Sequence, residues 1–286
     1  MRRFDWLLYL LVIVGLLYAV RGRDSVETPA APPVFEEDVG PAEAPGDEAP
    51  EERAGRPLRA RSRFDPEVLV EAPTEAANGV GTAFAVDDAG VWLTARHVVD
   101  GCARVGVVAG PGRVIRADWR VHPGADLAIL TTRGGPEPLP VSPDLALFEG
   151  QRGFHVGFPQ GEPGEVTSRL LGRETLVVTG RGERSEPVLA WAEAGRSRGL
   201  RGSLGGLSGA PALDAAGRVI GVTVAEAPRR GRIYTTGPET FAEALEEAPP
   251  DSTAGGVPLS PQTYGRVADA LRRDLSIAQV ICLADR

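Results

Sequence analysis

The chain has 286 residues and a formal net charge of −8, and all 31 of its basic residues are arginine. That balance excludes nucleic acid as the principal partner, because phosphate binding needs clustered positive charge. Gly 36 and Pro 25 together make about a fifth of the chain, which favours turn-rich β structure plus a linker over a helical bundle.

In chain order, the first feature is an unbroken apolar run of 15 residues from Trp6 to Val20, bracketed by Arg2, Arg3, Arg21 and Arg23. At 1.5 Å per residue it reaches about 22 Å, short of a ~30 Å hydrocarbon core. Phe4 and snorkelling arginines extend it to a transmembrane anchor over residues 4–22. Leu17-Tyr18-Ala19 and Ala19-Val20-Arg21 make poor small-x-small cleavage sites, which argues against a removed signal peptide. Two arginines on each side leave the orientation open. Residues 24–63 follow, rich in Pro, Ala and Glu and without aliphatic periodicity. They read as a disordered tether, acidic from Glu27 to Glu52 and basic from Arg53 to Arg63.

From Phe64 the pattern becomes short β-like runs between Gly, Pro, Asp and Asn, and residues 64–248 are expected to form the folded domain. Strands are predicted at 81–86, 91–95, 104–109, 114–121, 127–132 and 153–158, then at 166–171, 175–179, 188–192, 219–225 and 232–236. Evenly spaced strands without intervening amphipathic helices indicate a sandwich or barrel. Asp87-Asp88-Ala89-Gly90 and Asp214-Ala215-Ala216-Gly217 have hairpin-turn composition. Helices are predicted over 238–247 and from 261 to about 280, the latter with Tyr264, Val267, Ala268 and Leu271 on one face. Residues 249–286 thus read as a C-terminal helical extension.

Two cysteines, Cys102 and Cys282, and three scattered histidines do not have the spacing of a zinc site, and no phosphate-binding glycine fingerprint is present. Neither metal nor nucleotide cofactor is expected. Three other motifs carry chemistry: Thr94-Ala95-Arg96-His97-Val98-Val99, then Asp126-Leu127-Ala128-Ile129-Leu130, then Gly205-Gly206-Leu207-Ser208-Gly209-Ala210-Pro211. A serine hydroxyl is a weak nucleophile that needs an imidazole to take its proton, and a carboxylate fixes the imidazole tautomer and steadies its cation. Asp100 and Asp118 are alternatives to Asp126 for that last role. No histidine follows Ser208, which removes the Ser–acid–His order of α/β-hydrolases. A subtilisin-type order through Asp87 or Asp88 fails because those residues lie in a hairpin signal without βαβ units.

Together with Gly79-Val80-Gly81-Thr82-Ala83-Phe84, these motifs resemble the trypsin-like serine peptidases, in particular the bacterial membrane-tethered HtrA/Deg-like branch, over residues 75–240. The resemblance implies a mainly β, two-barrel chymotrypsin-like fold with His97 and Asp126 in the first barrel and Ser208 in the second. His97 would be general base and then acid, Asp126 its orienting partner and Ser208 the nucleophile. The backbone N–H groups of Gly206 and Ser208 would form the oxyanion hole. Gly202 would lie at the base of the specificity pocket, favouring small or aliphatic side chains, and Thr223, Val224 and Ala225 would pair with an extended substrate. Leu207, Ala210 and Arg96 depart from the family pattern. Leu207 keeps open a rival reading, a peptidase-like domain that binds peptides or a protein partner without cleaving them. No PDZ domain is expected after residue 240. Tethered relatives work in the periplasm, so an inner-membrane anchor with a periplasmic domain is expected, with polypeptides as substrates. There Cys102 and Cys282 could form a disulfide pinning the C-terminal helix to the first barrel; two buried thiols are the alternative.

Overall fold

The structure, a computed structural model, describes residues 55–73, 75, 77–143, 145–251 and 254–284. The expected anchor at 4–22 and most of the expected tether lie outside the described residues. Among those residues no helix is long and apolar enough to cross a membrane.

The strands, in chain order, are β1 (Glu67–Ala72), β2 (Gly79–Ala85), β3 (Val91–Thr94), β4 (Cys102–Val108), β5 (Val114–Val121), β6 (Ala128–Thr131) and β7 (Arg152–Gly157). They continue with β8 (Gly164–Gly180), β9 (Arg184–Arg196), β10 (Pro211–Leu213), β11 (Val219–Ala227), β12 (Arg232–Thr236) and β13 (Ile277–Ala284). Helices α1 (Arg96–Val99), α2 (Pro238–Glu247) and α3 (Tyr264–Arg273) and two 3₁₀ turns, Pro159–Gly161 and Pro228–Arg230, complete the described elements. The protein is therefore mainly β, built on two rings. One is a closed barrel in the order β13-β2-β3-β6-β5-β4. In the other sheet the order is β1-β8-β7-β10-β11-β12-β9, and pairing of β8 with β9 closes β7 to β12 into a second ring, with β1 added in parallel on β8.

Both hairpin signals form turns for the expected reason. Asp87 Oδ1 accepts the N–H groups of Gly90 and Val91, and Asp214 Oδ1 accepts those of Ala216 and Arg218. Helix α2 starts with Pro at N1 after Gly237 and buries Phe241, Ala244 and Leu245 at helical spacing. These side chains join Phe84 and Leu93 of the first barrel and Phe154, Val156 and Val222 of the second in one apolar cluster, the seam between the barrels.

Two expectations need correction. The last predicted helix ends early: α3 stops at Arg273, Leu275 turns the chain at φ 63, and residues 277–284 are strand β13. Ala278, Val280 and Cys282 are buried while Gln279, Ile281 and Leu283 are less so, a two-residue period that suits the slot between β2 and β4. The C-terminal segment thus closes the first barrel and is not a separate helical extension. The end of the expected tether is also ordered. Leu58 donates its N–H to Leu147 O and packs beside Leu147, and Arg59 pairs with Asp65.

Cys102 and Cys282 are joined by a disulfide, with Cα atoms 5.5 Å apart and a sequence separation of 180. The bridge clips β4 to β13, two neighbouring barrel strands, where a helix-to-barrel clip was expected. Replacing both cysteines by serine is expected to lower the unfolding free energy by about 2–4 kcal/mol, since a long loop in the unfolded chain is released. A urea midpoint measured with and without the bridge checks this.

Candidate active site

His97 sits on the single turn of α1, at the end of β3. Ala95, at the N-cap, supplies no side-chain cap. Asp126 does so from the loop before β6, the strand paired with β3: its Oδ1 accepts the His97 N–H at 2.9 Å, satisfying a first-turn donor. Buried Val98 and Val99 hold the turn down. Asp126 Oδ2 lies 2.7 Å from His97 Nδ1, so Nδ1 carries the proton and Nε2 is left as the acceptor. The carboxylate side chain is 3% exposed and the imidazole 41%. Neither alternative acid serves: Asp100 pairs with Arg96 at 3.1 Å, and Asp118 is exposed on β5.

Burial by itself would lower the His97 pKa, but the charge and hydrogen bond of Asp126 outweigh it and hold it above the ordinary 6.5. Burial would likewise raise Asp126, but His97, Arg184 and the backbone N–H hold it below its ordinary 3.8. Arg184 and Glu186, both on β9, were invisible to motif reading. Arg184 Nη2 lies 2.9 Å from Asp126 Oδ2, and both Glu186 carboxylate oxygens accept the Asp126 N–H at 3.0 Å.

Ser208 is half-buried in the 205–210 turn of the second barrel, hydrogen-bonded through its carbonyl to β2, the partner of the strand that leads into His97. Thr82 N–H donates to Ser208 O at 2.8 Å, and Thr82 Oγ1 donates to Gly206 O at 2.8 Å. Gly209 has φ +86, and a Cβ there would stand 2.0 Å from Thr82 O and 2.3 Å from Thr94 Oγ1. Only glycine lets the serine turn come this close to β3. Gly206 has φ +96, and neither its N–H nor that of Ser208 donates a hydrogen bond among the described residues. No hydrogen bond among those residues joins Ser208 Oγ to His97, so only the carboxylate arm of the expected triad is hydrogen-bonded.

The departures from the family pattern have structural roles. Leu207 is 1% exposed and packs with Leu204, Ala210, Ala212, Ile220 and Ile233, so an apolar anchor holds the serine turn on the barrel. Ala210 is buried in the same cluster, and Arg96 turns aside to Asp100. Beside Ser208 is a small cleft of about 80 Å³, lined by residues that include Leu204, Leu207, Thr223, Ala225, Glu226 and Ile233. Gly202 and Val224 do not line it. Gly202 is exposed, its carbonyl bonded to Arg196 Nη1, and Val224 points into the core. Glu226 accepts the Leu204 N–H and bonds Ser203 Oγ, a carboxylate at the cleft that the sequence did not reveal. A larger hollow of about 350 Å³ beside α3 is lined by none of His97, Asp126 or Ser208. Cleft size is therefore no guide to the chemistry here.

Residues 81–222 match the family of the trypsin-like peptidase domain. These residues are a trypsin-like peptidase domain. HhoA of Synechocystis sp., a serine protease by name, is 32% identical over 154 residues, covering 51% of this chain and 37% of that protein. The chain therefore spans a little over a third of that relative's length. Among solved structures, the active form of the Rv3671c protease from M. tuberculosis is 19% identical with a TM-score of 0.48, covering 71% of this chain and 95% of that one. The HtrA-type protease AlgW with a decapeptide is 20% identical with a TM-score of 0.45, covering 58% and 50%.

The one fully buried histidine among the described residues is structural. His155 bonds Thr223 Oγ1 at 3.1 Å and Ser168 Oγ at 2.8 Å, so both ring nitrogens are engaged with hydroxyls and no carboxylate faces it. Burial lowers its pKa from 6.5 to about 3. The unfolded chain therefore takes up this proton first, so the stability that neutral His155 contributes is full above pH 6.5 and is lost as pH falls toward 3. His155→Gln should flatten that stretch in a plot of urea midpoint against pH.

Proposed function

We propose that this chain is a serine endopeptidase in which His97, Asp126 and Ser208 act together on extended polypeptide segments, on a chymotrypsin-like pair of barrels. The observation that carries the reading is the 2.7 Å bond from His97 Nδ1 to Asp126 Oδ2. It leaves Nε2 unprotonated and able to act as the base toward Ser208. Ser208 Oγ attacks the scissile carbonyl carbon while His97 Nε2 takes its proton. The oxyanion is received by the free N–H groups of Gly206 and Ser208, where one donor is worth about 3 kcal/mol. His97 then protonates the leaving amine, and water repeats the sequence on the acyl-enzyme. Hydrogen bonds between base and nucleophile commonly tighten only in the substrate complex, which accommodates the open Ser208–His97 arm.

The β10 ladder on β11 ends at Pro211↔Val222, and only the Gly209–Ala210 turn continues it at Thr223. The edge beyond suits an added substrate strand. The small cleft with its Leu204, Leu207 and Ile233 walls favours short aliphatic side chains next to the cut bond. The apolar run at Trp6–Val20 supports an anchor in a bacterial inner membrane, and the Cys102–Cys282 bridge supports an oxidising compartment, the periplasm, for the domain.

A fluorophosphonate probe should label the wild-type protein and not Ser208→Ala. Cleavage of casein should fall at least about 10⁴-fold in Ser208→Ala or His97→Ala, and by no more in the double variant. A protein that binds peptides but takes no label would favour the non-cleaving reading instead. Because His97 must be neutral to act and its pKa is held above 6.5, kcat/KM should rise with pH along a limb centred above 6.5.

A further inference from the structure

The Asp126 carboxylate is nearly sealed from solvent, and a buried carboxylate needs more than one neutral imidazole to compensate it. The compensation comes from the other barrel. The distal half of the β8–β9 hairpin leaves the second ring and packs on the first: Leu176, Val178 and Val188 share a core cluster with Trp92, Val98 and Val99. This arm delivers Arg184 and Glu186 to the back of Asp126. Arg184 Nη2 stands 2.9 Å from Asp126 Oδ2, the same oxygen that faces His97 Nδ1. Arg184 Nε donates to Glu186 Oε1 at 2.8 Å, and its Nη1 donates to Gly182 O at 2.9 Å. Glu186, 1% exposed, accepts the Asp126 backbone N–H with both oxygens at 3.0 Å. Asp126 is thus gripped at its carboxylate and at its main chain by two side chains one strand-step apart.

We propose that Arg184 and Glu186 are positioning residues of the active site, a charged pair lent by the second barrel that fixes both the carboxylate and the backbone of Asp126 in the orientation His97 requires. The proposal rests on the peptidase reading of His97, Asp126 and Ser208. The pair is hydrogen-bonded to Asp126 and to neither His97 nor Ser208, so it positions His97 through Asp126, while its charges also reach the imidazole through space. It also places two opposite charges near the imidazole. Arg184 opposes a proton on His97, and Glu186 favours one. The other charges around the turn are Arg96 and Asp100 of α1, bonded to each other and bordering Gly182, and Arg181 and Glu183 of the hairpin tip. Across the 122–127 loop, His122 faces Glu243 at 3.9 Å. Among the described residues, the Asp126 carboxylate is bonded only to His97 and Arg184.

The test is an NMR titration of the His97 ring in Ser208→Ala protein, which needs no turnover, with His97→Ala assigning the signal. Arg184→Gln should move the midpoint up and Glu186→Gln, which keeps an acceptor for the Asp126 N–H, should move it down, each by roughly half a pH unit or more. Arg184→Lys restores the charge without the planar fork and should return the midpoint toward wild type. In otherwise wild-type protein, Arg184→Gln and Glu186→Gln should lower kcat about tenfold or more while KM changes less than about twofold, because neither residue meets substrate. A midpoint unchanged in both variants, or an upward shift in Glu186→Gln, would overturn the proposal. Should Arg184→Gln fail to fold, Glu186→Gln and Arg184→Lys decide it by the same readings. A wild-type protein that takes no fluorophosphonate label would defeat the peptidase reading, and the titration would still report whether the pair positions Asp126.

Discussion

Thr82 ties the two halves of the candidate site together. Its hydroxyl donates to Gly206 O and accepts the Phe158 N–H, its backbone N–H donates to Ser208 O, and its carbonyl accepts the Thr94 hydroxyl at 2.6 Å. The residue is fully buried, so each of these bonds is made away from water, where an unmet partner costs about 1–3 kcal/mol. One side chain and its peptide groups therefore join the serine turn to the strand that ends in His97. The spacing of nucleophile and base depends on this joint more than on any direct contact between them.

A second constraint is electrostatic. The site needs a buried anion beside His97, and burying one is costly unless it is paired and hydrogen-bonded. The protein meets this with the α1 backbone, the imidazole, and the β9 pair, and those groups come from both barrels. The apolar anchors follow the same division of labour. Leu207 holds the serine turn from beneath, while Val98 and Val99 hold the histidine turn, so neither functional residue has to carry its own loop. The close passage at Gly209 is what such packing requires, since a methyl group there would overlap Thr82 and Thr94.

The closure of the first barrel is also long-range. Strand β13 comes from the far end of the chain and sits between β2 and β4, and the Cys102–Cys282 bridge fixes its last residues. The same strand pairs its Val280 with Gly81, next to Thr82. Stability of the C-terminal seam and order at the site are thus linked through β2.

What the sequence determined by itself is what short segments can encode. Alternating apolar residues marked most strands, Asp87 and Asp214 marked their turns, and the neighbours of His97, Asp126 and Ser208 singled out those three side chains. Leu207 looked like a departure from pattern because its function, filling the space beneath the serine turn, has no local signature. The helix expected from 261 to about 280 rests on Tyr264, Val267, Ala268 and Leu271, and only the slot between β2 and β4 makes the two-residue period of 277–284 win. Gly202 was placed in the substrate cleft by its offset from Ser208, whereas chain direction in the 199–206 loop leaves it on the surface and brings Glu226 to the cleft instead. Arg184 and Glu186 stand about 60 residues from Asp126 in an unremarkable run of charges. The tertiary structure alone decided their place, because the pairing of β8 with β9 and its packing on the first barrel set where that hairpin ends, and a buried carboxylate gives the two charges a reason to meet.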